Sequence, residues 1–298
     1  MTDMHLNDSW NDPDILTEYL AKQLISGRLG LFLGAGISKF YDLPSWEELV
    51  RRMCYNAGVD FNSGDNWENK VEFLKKVIFK NNNKDFRDSV YQALYKDIKL
   101  DFSRIRKNET LAAIGSLVMS SKRGSISKII TLNFDDLLEN YLEFHGFTTS
   151  IIASEKHWAQ NVDAVVYHPH GLIPIGNRKN GAFDEKIVLS SSEFLSIMEN
   201  KAWQSILKSA LRTHTFLYLG LSGQDMHLKY LLHELTSEHV ISNERIRYHG
   251  VRIDTLDGDD EMAQILEEGG VHTHKIDDFS EMPEFLFKIC QRARELRS

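Results

Sequence analysis

Four short stretches hold groups whose types and spacing suit chemistry on a sugar or a phosphate. Thr131-Leu132-Asn133-Phe134-Asp135-Asp136 sets an amide and a carboxylate two residues apart, where an apolar run gives way to a helical pattern. Asn and Asp at such a junction either face a ligand beyond the strand end or cap the coming helix. Asp136 is the expected cap and Asp135 the expected inward group. Tyr167-His168-Pro169-His170-Gly171 ends a second apolar run. Its two histidines could begin a metal site, but no third ligand lies near them in the sequence. His170 suits a general base: Gly171 lets the chain turn and leave the imidazole facing a cleft, and an ordinary imidazole titrates near ~6.5. His168 reads as a structural histidine with a satisfied ring.

The third stretch works through its backbone. Gly34-Ala35-Gly36-Ile37-Ser38 follows the apolar run Leu29-Gly30-Leu31-Phe32-Leu33. A strand that turns straight into a helix through small residues leaves N–H groups for a pyrophosphate. It is equally the form of an ordinary tight strand-to-helix turn. Lys39 stands where the third glycine of G-x-G-x-x-G would fall, and no Gly-Lys-Ser/Thr makes a Walker A loop. Later, Leu219-Gly220-Leu221-Ser222-Gly223-Gln224-Asp225 ends another apolar run. Gly220 there permits close approach of a ligand, Ser222 offers a hydroxyl to a ribose or phosphate, and Asp225 opens a helix; a capped turn is the alternative.

The elements that must position these groups can be read from periodicity. A helix is expected over Ile15 to Leu24, stopping at Ser26-Gly27, and another after Ser45, with Glu48 completing a capping box. Residues 65–120 carry helical spacing with no β alternation. Beyond them strands and helices alternate. Strands are expected at Ile126–Leu132, Ala164–His168, Ile187–Leu189, Thr215–Leu219, Ile246–Ile253 and Val271–Ile276. Helices are expected at Leu137–Phe144, after Ser190 or Ser191, at Met226–Leu235 and from about Ser280. Such alternation predicts a parallel sheet covered by helices on both faces.

The 298 residues are 42% hydrophobic, enough for a sizeable core, and the net charge of −8 disfavours unaided binding to nucleic acid or anionic membranes. The two cysteines, Cys54 and Cys290, cannot build a four-cysteine zinc site and suit a reducing compartment. No signal-like or membrane-spanning run is present in the sequence, so a cytoplasmic protein is expected.

Taken in order, Gly-Ala-Gly-Ile-Ser, Thr-x-Asn-x-Asp, His-Gly and Gly-x-Ser resemble the sirtuin family of NAD-consuming enzymes. The resemblance implies a Rossmann-like α/β sheet in one domain over 1–298, with 65–120 as a helical insertion or subdomain. It also implies that Gly34, Ala35, Gly36 and Ser38 hold the NAD phosphates and that Gly220 and Ser222 lie on the adenosine side. Asn133 and Asp135 would then line the nicotinamide–ribose pocket, with His170 as the catalytic base. Several departures are plain. The cysteine module is missing, Leu132 replaces a Gln, and Asp42-Leu43-Pro44-Ser45-Trp46 keeps the Pro of Gly-Ile-Pro-x-Phe-Arg without its Phe-Arg. They look like the sirtuin-like branch of bacterial anti-phage systems, which hydrolyses NAD+ to nicotinamide and ADP-ribose. On that resemblance Asn133 orients the ribose or the attacking water, His170 accepts a proton, and Asp135 positions the nicotinamide side. No zinc is expected. A homo-oligomer, or a partner such as a HerA-type ATPase or an Argonaute-like protein, would gate the activity. A zinc-free deacylase and a non-catalytic NAD or ADP-ribose sensor are the alternatives.

Overall fold

β1 (Leu29–Leu33) is buried at every residue, as a strand must be when helices cover both its faces. The computed structural model describes residues 10–62, 64–96, 98, 101–119, 121–175, 186–221, 228–230, 232–233, 250–258 and 260–298. Within them β1 pairs in parallel with β2 (Lys128–Thr131) on one side and with β5 (Thr215–Leu219) on the other. β3 (Thr149–Ile152) and β4 (Ala164–Tyr167) extend the sheet beyond β2, and β6 (Gly250–Thr255) and β7 (Val271–Ile276) extend it beyond β5. The order is β3-β4-β2-β1-β5-β6-β7, and every pairing is parallel. The α/β, Rossmann-like expectation is met. The chain leaves β1 toward β2 and later returns to β1's other edge as β5, which makes the β1–β5 boundary a topological switch point. In such sheets ligands bind beyond the carboxyl ends of the strands at that point.

Alternation along the strands sorts the core. Leu31, Leu33, Leu217, Leu219 and Ile129 face one layer. That layer contains α1 (Pro13–Ile25), α2 (Trp46–Asn56), α3 (Trp67–Phe73), α4 (Asn83–Leu94), α5 (Phe102–Arg106), α6 (Glu109–Val118) and α7 (Leu137–Phe144). Phe32, Phe216, Tyr218 and Ile130 face the opposite layer with Trp203, Leu207 and Leu211. The helices after β4 are α8 (Ser191–Glu199), α9 (Lys201–Thr213) and α10 (Asp260–Glu268). The last, α11 (Met282–Glu295), packs its Leu286, Ile289 and Ala293 into the first layer.

Local signals set most boundaries. α7 spans the expected residues, and Ser190 caps α8 through a complete capping box with Glu193. Ser45 caps α2 through the Glu48 amide at 3.3 Å, but the Glu48 carboxylate turns to Arg52 at 3.1 Å, so the expected box is half made. Ile187–Leu189 is extended without being a strand: the Val188 amide bonds the His170 carbonyl at 2.9 Å. β3 was not foreseen, because four edge residues alternating Thr, Ser and Ile give little periodic signal. The helix after Ser190 is two helices, since Asn200 ends α8 and caps α9. Of the expected helix Met226–Leu235, residues 228–230 and 232–233 are described and are helical, with Leu228 and Leu232 buried, while the first four residues of the expected strand Ile246–Ile253 lie outside the described residues. Among those described, no helix is long and apolar enough to cross a membrane.

Candidate functional site

The carboxyl ends of β4, β2, β1 and β5 are neighbours in the sheet, so the four singled-out stretches converge on one edge. Leu33 stands opposite Thr131 on one side and Leu219 on the other. Each loop therefore leaves the sheet at nearly the same height.

At the end of β1 the backbone does the binding. The Gly34 amide donates to the Leu219 carbonyl at 2.9 Å and the Gly36 amide to the Gly220 carbonyl at 2.8 Å. A Cβ on Gly34 would lie 2.6 Å from the Gly220 carbonyl oxygen, and one on Gly36 would lie 2.7 Å from the Gly220 Cα. Gly220 itself has φ +67, the left-handed region that glycine enters at no steric cost. These glycines are required by the approach of chain to chain, and two amides that the sequence offered to a pyrophosphate already have partners. The segment after them, Ala35–Tyr41, winds as a 3₁₀ helix ending at Asp42, and Ala35 and Gly36 stay partly exposed. Ser222 lies outside the described residues.

At the end of β2 the side chains do it. Asn133 is 9% exposed and Asp135 8%. The Asn133 amide nitrogen donates to the Gly34 carbonyl at 3.1 Å and to the Ser38 hydroxyl at 3.2 Å. Ser38 donates in turn to Asp135 Oδ2 at 2.8 Å, and Asp135 Oδ1 accepts from the Leu137 amide at 3.2 Å. Ser38, buried on the β1 loop, thus ties the two strand ends together. The Asn133 Oδ1 acceptor is buried with no hydrogen-bond partner among the described residues. Unmet acceptors of this kind are rare, because desolvation without a bond costs about 1–3 kcal/mol. Asp135 is the inward group as expected, but the capping expected of Asp136 is not made by it. Asp135 faces inward and also bonds the first helical amide. Asp136 occupies the cap position without capping, and accepts from the Ile175 amide at 2.8 Å.

Burial pushes the Asp135 carboxyl up to about 6, against the downward pull of the Ser38 and Leu137 bonds. A cavity with room for about one water lies beside it, lined by Ile37, Ser38, Thr131, Asn133, Asp135 and Glu139.

Both histidines at the end of β4 are buried, and they behave oppositely. His168 lies between the Glu139 carboxylate, 2.5 Å from Nε2, and the Asn133 carbonyl, 3.1 Å from Nδ1. Burial pulls its pKa down, but Glu139 outweighs burial and holds the ring above the ordinary imidazole value. His168 is the structural histidine, and it pins the Asn133 backbone. The His170 ring is 1% exposed, so it does not open onto a cleft, and burial takes its pKa down to about 3. Gly171 follows at φ +90, where a Cβ would lie 2.7 Å from the Lys186 carbonyl. Trp46 joins the pieces: its ring stands edge-on to His170 at 5.4 Å and tilted against Phe134 at 5.3 Å.

Two partners were missed by sequence reasoning. Glu139 is four residues beyond Asp135, one helical turn along α7, and that spacing was its available signal. Trp46 carried none beyond its place after the Ser45 cap. Among the described residues no group of three or more His, Cys, Asp or Glu side chains could hold a metal ion.

Residues 127–268 match a family model described as a SIR2-like domain. The NAD(+) hydrolase ThsA of Acinetobacter baumannii is 22% identical over 242 residues, which is 80% of this chain and 45% of that protein. The ThsA of Bacillus cereus is 22% identical over 291 residues, covering 93% of this chain and 56% of that protein. Defense-associated sirtuin 2 of Bacillus subtilis is 23% identical over 209 residues, covering 70% and 19%. The chain spans about half the length of the first two relatives and a fifth of the third. The stretch that matches the SIR2-like domain model, residues 127–268, holds Asn133, Asp135, His168, His170 and Gly220.

Proposed function

We propose that the chain hydrolyses NAD+ to nicotinamide, ADP-ribose and a proton. The carrying observation is the buried Asn133 Oδ1, unpartnered among the described residues, in the Ser38–Asp135 network at the switch-point edge of the sheet. Relatives named NAD(+) hydrolase support the choice of substrate.

In this reading the bond between the ribose C1′ and the nicotinamide nitrogen breaks, and its electron pair neutralises the pyridinium. Nicotinamide leaves without needing a general acid. Asn133 Oδ1 accepts from a ribose hydroxyl or from the attacking water. The Asp135 carboxylate favours the positive charge that develops on the sugar. The water oxygen bonds to C1′, and His170 takes its proton when substrate binding uncovers the buried ring, releasing it to solvent as the products leave. A base of low pKa suffices there, because water adding to an oxocarbenium centre is strongly acidic. Burial keeps the ring unprotonated and ready to accept at neutral pH. The pyrophosphate is assigned to the loop Gly34, Ala35, Gly36 and Ser38, of which Ala35 and Gly36 are partly exposed, with the adenosine toward Gly220 and Ser222.

We read the chain as one domain with residues 65–120 inserted. We assign it to the cytoplasm as an anti-phage effector gated by self-association or by a partner such as a HerA-type ATPase or an Argonaute-like protein, because unrestrained NAD+ loss would kill the host.

The test is nicotinamide release from NAD+ without peptide, by wild type and by the Asn133→Ala and His170→Ala variants. Release that both folded variants lose is the expected result. Release that both retain would overturn the assignment of the site, and release that requires an acylated peptide would favour a deacylase.

A further inference from the structure

The loop that carries His170 has no secondary structure of its own from 168 to 175, and Gly171 turns it through a left-handed conformation. Such a segment holds a ring in place only if other elements grip its backbone. One side is gripped by the β2–α7 junction, where the Ile173 amide donates to the Phe134 carbonyl at 2.7 Å and the Ile175 amide to Asp136 at 2.8 Å.

The other grip comes from the helical segment, outside the matched residues 127–268. Arg87 on α4 donates through its guanidinium to the Leu172 carbonyl at 2.6 Å. Tyr95, one residue beyond α4, donates its hydroxyl to the Ile173 carbonyl at 2.5 Å. Tyr95 is buried, and burial reinforced by nearby carboxylates pushes its hydroxyl pKa well up, so the group remains a donor. Beside them Lys75, in the π-helical turn Leu74–Ile78, pairs with the buried Glu193. The other Glu193 oxygen accepts from the Leu189 and Ser190 amides at 3.1 and 3.2 Å, and the neighbouring Val188 amide holds the His170 carbonyl. Two donors from this segment, Arg87 and Tyr95, thus reach the backbone that follows His170, and a third, Lys75, braces the Glu193 carboxylate that holds the 189–190 amides.

We propose that α4 and its flanks are the positioning element for His170, with Arg87 and Tyr95 as positioning residues that hold the 172–173 carbonyls and Lys75–Glu193 bracing the 188–190 side. This rests on the reading that His170 serves in NAD+ cleavage. Neither Arg87 nor Tyr95 touches substrate in this role. They fix where the ring stands, and a displacement of about 1 Å at a reacting group can cost about 10²-fold in rate.

The experiment uses the full chain as Tyr95→Phe, Arg87→Ala, Arg87→Lys and the Tyr95→Phe/Arg87→Ala double variant. It follows nicotinamide release, thermal unfolding and the imidazole resonances of isotope-labelled histidines. The expected result is a kcat about tenfold lower in each single variant and about 10²-fold lower in the double, with KM for NAD+ within about twofold. His170 resonances should shift while those of His168 stay, and Arg87→Lys should recover part of the loss. A folded double variant with kcat and His170 resonances unchanged would overturn the proposal. So would a loss that tracks lowered thermal stability while the resonances stay fixed. If the double variant does not fold, Tyr95→Phe alone decides, since it deletes one hydroxyl and keeps the ring. If wild type releases no nicotinamide, the functional reading fails separately, and the His170 resonances still decide whether the grip exists.

Discussion

The ends of β1 and β2 stand side by side at the same height in the sheet, yet they use their polar groups in opposite ways. After β1 the main chain is occupied: Gly34 and Gly36 donate to the end of β5, and the small residues exist to let two backbones touch. After β2 the side chains are occupied: Asn133, Asp135 and Asp136 bond across to Ser38, Gly34 and Ile175, and Asn133 Oδ1 has no hydrogen-bond partner among the described residues. A glycine-rich strand end is therefore no guarantee of free amides for a phosphate, and a pair of residues that looks like a helix cap can form the polar centre of a site. Ser38 is the exception on the β1 side, the one side chain there that belongs to the β2 network.

This contrast can be broken at its strongest point first. Asn133→Ala should lower nicotinamide release by about 10²- to 10⁴-fold, the range for losing a group that acts on the reacting atoms, while the melting temperature moves little. A comparable loss of fold would place Asn133 among the structural residues.

Asp135→Asn comes next. In the fold the Asp135 carboxyl stands at about 6, raised from 3.8, so the folded chain keeps this proton to higher pH than the unfolded chain does. Its contribution to stability is complete below the unfolded value and is lost as the pH rises through about 6. A shift of about two units corresponds to about 3 kcal/mol, so the variant should gain on wild type between pH 4 and 7 by up to that amount. His170 acts with the opposite sign. Its value is depressed to about 3, so its contribution is complete above about 6.5 and lost as the pH falls. Denaturant melts of both proteins across this range check the prediction, and parallel pH profiles would contradict it.

On the β1 side, Gly36→Ala should cost about 1–3 kcal/mol of stability, because its Cβ would meet the Gly220 backbone at 2.7 Å with nothing flexible to yield. An alanine accepted without loss would mean that the two loops are not locked together. Ser38→Ala should cost about 1–2 kcal/mol, since it removes the buried hydrogen bond accepted from Asn133 and the one donated to Asp135. Removing the bond to Asp135 should also raise the Asp135 pKa, since the Ser38 hydroxyl is a cause that lowers it. Carbon-13 carboxyl titration of labelled aspartates reads that shift directly.

Much of this was legible in the chain. β1, β5, β7 and α7 lie where their patterns place them, and the four chemical stretches each follow a strand because small and polar residues punctuate apolar runs. The gaps have physical causes. β3 is four residues at the sheet edge with one face only half buried, too short for a period to declare itself. The 3₁₀ winding after Gly34 follows from bonds to β5 that no local pattern encodes.

What the sequence by itself determined is the set of elements and the polar residues at their ends, because periodicity, caps and turn residues act within a few positions of the chain. What only the tertiary structure decided is the state of those residues. Ser38 meets Asp135 across 97 positions, Arg87 reaches Leu172 across 85, and Glu139 finds His168 and not His170. Whether a buried group is charged, held or left with an unmet acceptor depends on desolvation and on the partner brought beside it, and both are supplied by chain far away in sequence.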